Sequence, residues 1–205
     1  LLSIELYKLW HNRISKILIF SYFILIFSIA ILSTIKVEIG PINFHLADQG
    51  IFNFPYIWHF NSFMIGLLKI FFAVIIVAMI GNEYSYKTLK QNLIDGLSKE
   101  EFLRSKVYAI LAFVGISTLL VFLISLVLGG IYSDYNELQI VFSDLEYLLA
   151  YAIKLFGFFS LCLFLGLLIK RSAFALGFLA LWQIIEGICF GLMKWKLSDL
   201  IPSLS

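Results

Sequence analysis

The sequence predicts an all-α, polytopic membrane helix bundle of five spans with its N-terminus in the cytoplasm. Three observations carry that reading. First, hydrophobic residues make up 61% of the 205 positions and charged residues 14%, against about 25% charged in a soluble domain. So small a particle could not hide this much Phe, Leu and Ile from water, and the mean hydropathy is +0.98. Second, five stretches have about the 20 apolar residues that a bilayer crossing needs. Third, Lys and Arg collect in segments that a five-span path brings to one side.

The elements follow in order. Residues 1–16 put Leu2, Leu6, Leu9 and Trp10 on one helical side and Lys8, Asn12 and Ser15 elsewhere. That is the pattern of an interfacial helix; a plain extension of the first span is the alternative. Span one is 17–35, with no small-residue cleavage site after it, so a retained anchor is expected. Residues 51–63 read IFNFPYIWHFNSF, the aromatic density of an outer interface belt, with an aromatic ligand patch as the alternative. Spans two to five are 61–81, 107–131, 147–169 and 172–193, and residues 194–205 read as an outer segment. The chain is read as one transmembrane domain.

Orientation comes from the basic residues. With the N-terminus inside, the cytoplasmic segments hold Lys8, Arg13, Lys16, Lys87, Lys90, Lys99, Arg104, Lys106, Lys170 and Arg171. The other side holds Lys36, Lys194 and Lys196, and segment 132–146 has four carboxylates and no cation. This excess of positive charge defines the inner face. Localisation in a plasma or inner membrane follows.

Several chemistries are excluded. No G-x-x-x-x-G-K-[ST] loop, H-E-x-x-H or G-x-S-x-G elbow occurs. No enzyme activity, bound metal or cofactor is expected in this chain, nor a nucleic-acid partner. His11, His45 and His59 lack metal-ligand spacing. Cys162 and Cys189 read as small buried apolar residues in separate spans.

Segment 82–106 divides into two short helices. The first is read from about Glu83, an acid suited to a helix start, to Asp95. Gly96 stops it, since glycine accepts the left-handed conformation. Ser98 and Glu101 form a capping box for the second helix, which runs on into span three. The result is an elbow at the membrane surface, either a docking device or a plain polar connector.

Glu83, Thr88, Ser98, Leu103 and Lys106 stand where ABC-2 type transporter permeases carry E-x-x-x-G-T, a short helix, P-x-S-R and a following Leu and Lys. The segment resembles that signature, with Lys87 in place of Gly, Gly96 close to the usual Pro and Lys99 in place of Arg. The interfacial helix, the N-in path and the tight Lys170-Arg171 turn resemble the same family, whose members usually have six spans. The resemblance implies a permease subunit that pairs with a second copy or a similar paralogue, within the membrane lipid. It also implies two ABC ATP-binding subunits, which would bring the ATP and magnesium. Glu83, Thr88, Ser98, Lys99 and Lys106 would shape a coupling elbow about the Gly96 stop. Tyr84, Tyr86, Leu93 and Leu97 would be contact residues by position.

Three ionisable residues fall inside spans. Lys69, Lys154 and Glu186 each lie roughly 10–12 Å below the outer surface at ~1.5 Å per residue. Such charges are costly and functional by default, so Glu186 is expected to pair with Lys154 or Lys69, or the lysines snorkel outward. Gly187 and Gly191 form a G-x-x-x-G for close helix packing. The sequence therefore points to an ABC exporter permease. A membrane anchoring protein and an ion-coupled secondary transporter are the competing classes.

Overall fold

The computed structural model describes residues 2–32, 37–39, 42–44, 50–86, 88–94, 96–135, 137–170 and 172–200. Within these, the side chains of 2, 32, 37–39, 42–44, 89, 90, 93, 190 and 194–200 lie outside the description. So do Lys36, His45, Lys87, Asp95, Arg171 and residues 201–205.

Helices α1 (Leu2–His11) and α2 (Arg13–Leu32) meet at Asn12. Its Oδ1 accepts from the amides of Ile14 at 2.9 Å and Ser15 at 3.3 Å, a side-chain cap for α2. A short antiparallel hairpin, β1 (Val37–Ile39) and β2 (Ile42–Phe44), pairs Val37 with Phe44. Then come α3 (Tyr56–Gly66), α4 (Lys69–Ser85), α5 (Thr88–Ile94), α6 (Lys99–Tyr132), α7 (Leu138–Val141), α8 (Glu146–Ile169) and α9 (Ser172–Leu200).

Four helical stretches are long and apolar enough to cross a membrane: Arg13–Ile31, Lys99–Tyr132, Leu138–Ile169 and Ser172–Met193. The pair α3 and α4 makes a fifth when counted as one bent span. That span was expected to be continuous over 61–81. Instead it bends by 41° at Leu67 and Leu68. Their amides bond three residues back, to Met64 and Ile65, in place of the usual four. The halves have different anchors, since α3 packs on α6 and α8 while α4 packs on α8, α2 and α9.

Helix α4 forms the centre. Phe72, Ala73, Ile75, Ile76, Val77 and Ile80 on it are buried. Gly166 of α8 lets Ile80 approach, and a Cβ there would stand 3.2 Å from it. Polar bonds between helices add to this packing. Ser117 of α6 bonds Tyr22 of α2 and, at 2.7 Å, Tyr151 of α8. Asn61 donates to Ser125 at 2.9 Å.

Two expectations need correction. Residues 51–63 form an exposed aromatic surface only in part, through Tyr56 and Phe63. Phe52, Phe54, Ile57 and Trp58 are buried as a plug in the far end of the bundle. Trp58 Nε1 donates to the Val141 carbonyl at 2.8 Å, and Gly129 leaves the space that Phe54 fills. Residues 194–200, expected as an outer segment, continue α9 as a helix to Leu200, beyond the apolar stretch Ser172–Met193. Cys162 is buried, but Cys189 is exposed.

Candidate functional site

The elbow is built by local rules. Gly96 has φ +98°, the left-handed region that a side chain disfavours. The capping box at Ser98 forms as the sequence predicts: Ser98 Oγ accepts from the Glu101 amide at 3.1 Å, and Glu101 Oε2 accepts from the Ser98 amide at 2.9 Å. That backbone bond, with the Ser98 hydroxyl, holds the exposed Glu101 carboxyl below the usual carboxylate range. Glu101 lies in the first turn of α6, ahead of the apolar part.

Glu83 departs from expectation. It does not open the short helix, which begins at Thr88, but sits in the last turn of α4. A carboxylate there faces the negative end of the helix dipole, so another group must balance it. Lys106, wholly buried, does so with Nζ at 2.5 Å from Glu83 Oε1. The same ammonium lies 2.6 Å from Glu5 Oε2 of α1. Lys8 completes the cluster, 3.2 Å from Glu83 and 3.5 Å from Glu5, and Ser105 Oγ donates to Glu5 at 3.4 Å. Two lysines thus offset two glutamates where α1, α4 and α6 meet, as buried charge requires, while Glu83 Oε2 has no hydrogen-bond partner among the described residues.

The burial of Glu5 and Leu9 also turns α1 around. Leu6 and Trp10, expected to share a face with Leu9, are exposed while Leu9 packs inward.

Around the cluster, Tyr86 and Ile94 stand out from the elbow, 76% and 77% exposed. Leu97 is half-buried and Lys99 exposed. Tyr84 is half-buried, with Lys170 Nζ 5.9 Å over its ring. Lys170 itself ends α8 in the left-handed conformation, φ 57°. This contact brings the α8–α9 turn to the elbow's end of the bundle. The Leu93 side chain lies outside the described residues.

A second charged group lies away from the elbow. Glu186 of α9 takes Lys69 Nζ at 2.9 Å on one oxygen and Lys154 Nζ at 3.4 Å on the other. Lys69 is 3% exposed and also lies over the Phe158 ring at 4.4 Å, whereas the Lys154 side chain is 58% exposed. A Cβ placed at Gly187 or Gly191 would meet nothing within 4 Å, so among the described residues neither marks a close approach of helices. Among the described residues no group of three or more His, Cys, Asp or Glu is placed to hold a metal.

A family model described as ABC-2 family transporter protein matches residues 1–186. The chain belongs to the ABC-2 transporter family. It is therefore a multi-pass membrane permease of an ABC transporter. No curated protein and no solved structure gives a match.

In this permease the structure brings Glu83 and Lys106 together, and Lys69 and Lys154 onto Glu186. Glu5, Lys8 and Ile94 were missed by sequence reasoning. Glu5 carried one signal, as the one acid in residues 1–16. Ile94 carried another, an apolar side chain in a helix of seven residues, too short to bury every face.

Proposed function

We propose that this permease is the membrane subunit of an exporter driven by a separate ABC ATPase, with α1 and α5 at the cytoplasmic face. The ATPase docks at α5, where Ile94 on that helix and Tyr86 just before it offer apolar contact. Ser98, Lys99 and the Gly96 turn shape the elbow that receives it. A second permease subunit completes the transporter.

One observation carries the reading. The buried Glu5–Lys106–Glu83 cluster lies where the elbow joins its two helices. Glu83 ends the helix that enters the elbow, Lys106 belongs to the helix that leaves it, and Glu5 adds α1. Breaking such a buried pair costs about 3–5 kcal/mol, so a push on α5 moves three helices together. Across the chain, the Lys69–Glu186 pair ties α9 to α4 near the outer mouth and opens when α9 moves.

The test is purification of the wild-type chain in mild detergent, with identification and ATPase assay of whatever accompanies it. A stoichiometric ATPase, released by Tyr86→Ala combined with Ile94→Ala, is the expected result. A stable wild-type chain that retains no ATPase would overturn it and leave anchoring or ion-coupled transport.

A further inference from the structure

A separate site lies on the membrane flank. A cavity of about 590 Å³ opens between α1, α2, α4 and α6. Leu9, Phe72 and Phe113 form its buried floor, and Leu6, Trp10 and Ile116 its exposed rim.

On α2 the lining runs from Ile19 to Phe23 and on α6 from Phe113 to Ile116, about one helical turn each at 1.5 Å per residue. The lining is apolar except for Ser3 and the polar tips of Tyr7 and Trp10, which suits a hydrocarbon chain rather than a polar ligand.

Its mouth is basic. Lys16 Nζ stands 5.9 Å over the Trp10 ring, one helical turn before Ile19. Arg13, exposed, precedes Lys16 by another turn. Among the described residues neither cation meets a carboxylate. Trp10 and Tyr7, on the same helix, have the amphipathic rings that sit at headgroup level.

We propose that this crevice binds one acyl chain of an anionic phospholipid, with the phosphate held by Lys16 and Arg13. The lipid would wedge α1 against the bundle beside the ionic cluster. The proposal rests on α1 lying in the membrane interface and is independent of any ATPase.

The test is native mass spectrometry of the purified chain after exchange into micelles doped with phosphatidylglycerol or with phosphatidylcholine. One phosphatidylglycerol should remain bound per chain. Ile116→Trp, which fills the crevice from an exposed position, should weaken retention about tenfold, or about 1.4 kcal/mol. Lys16→Gln should remove the preference over phosphatidylcholine. Ile188→Trp, on the exposed face of α9, should change nothing. Equal retention by wild type and Ile116→Trp, with unchanged thermal unfolding, would overturn the proposal. So would retention blind to headgroup in the wild type, or a dimer lost in Ile116→Trp with no lipid bound.

Discussion

In one charge cluster of this permease a lysine lies between two glutamates, and in the other a glutamate lies between two lysines. The difference is one of closure. Lys106 is sealed among α1, α4 and α6, with Lys8 balancing the second carboxylate. Glu186 joins α9 to the bundle from its edge, and its second lysine stays exposed. Of the four unbroken spans α9 is the least buried. The first cluster thus fixes helices that are already packed, while the second adds to a helix seated otherwise through its first turns, at Ala175 and Leu179.

Lys106→Ala should have the largest effect, since it leaves Glu5 and Glu83 buried with only the part-exposed Lys8 as counter-charge. A loss of about 3–5 kcal/mol is expected, read as a lower midpoint in thermal unfolding of the detergent-purified chain. Glu186→Gln should cost less, about 1–3 kcal/mol, because the amide still accepts one bond from Lys69. Replacing Lys69 and Glu186 together by Met should recover most of that loss, since a buried pair exchanged for apolar side chains is near neutral. If the double variant is as weak as the single one, α9 is held by something other than this pair.

Lys154→Ala should cost under about 1 kcal/mol, as for other exposed ion pairs. A loss as large as that of Glu186→Gln would erase the distinction between the two lysines. The smallest effect belongs to Glu101, whose folded pKa lies below its unfolded one because the Ser98 amide favours the ionised form. Its contribution is therefore present above the ordinary carboxylate range and fades as pH falls through the lowered folded value. Amide exchange at the start of α6 should separate wild type from Glu101→Ala at neutral pH and not in strong acid.

What could be read in advance was what lies close along the chain. The capping box uses residues three apart, and Gly96 announces its own turn. The helices of the bundle follow from runs of apolar residues. The Glu5–Lys106 pair could not be read so, for its partners are 101 positions apart. The bend at Leu67 and Leu68 had one local signal, Gly66 at the end of α3, but a lone glycine in an apolar run does not tell a bend from a straight span. The plug was misread for a similar reason: an aromatic run suits headgroups and a cavity alike, and only Gly129, on another helix, decides for the cavity.

The 34 residues of α6 amount to a lever about 51 Å long at 1.5 Å per residue. Its pivot is the Lys106 clamp, and Gly129, against which Phe54 rests, lies some 35 Å away on the same scale. A rotation of about 5° there would displace that far contact by roughly 3 Å. The elbow and the plug are therefore two points on one stiff arm, and a tilt at one is felt at the other with no relay between them.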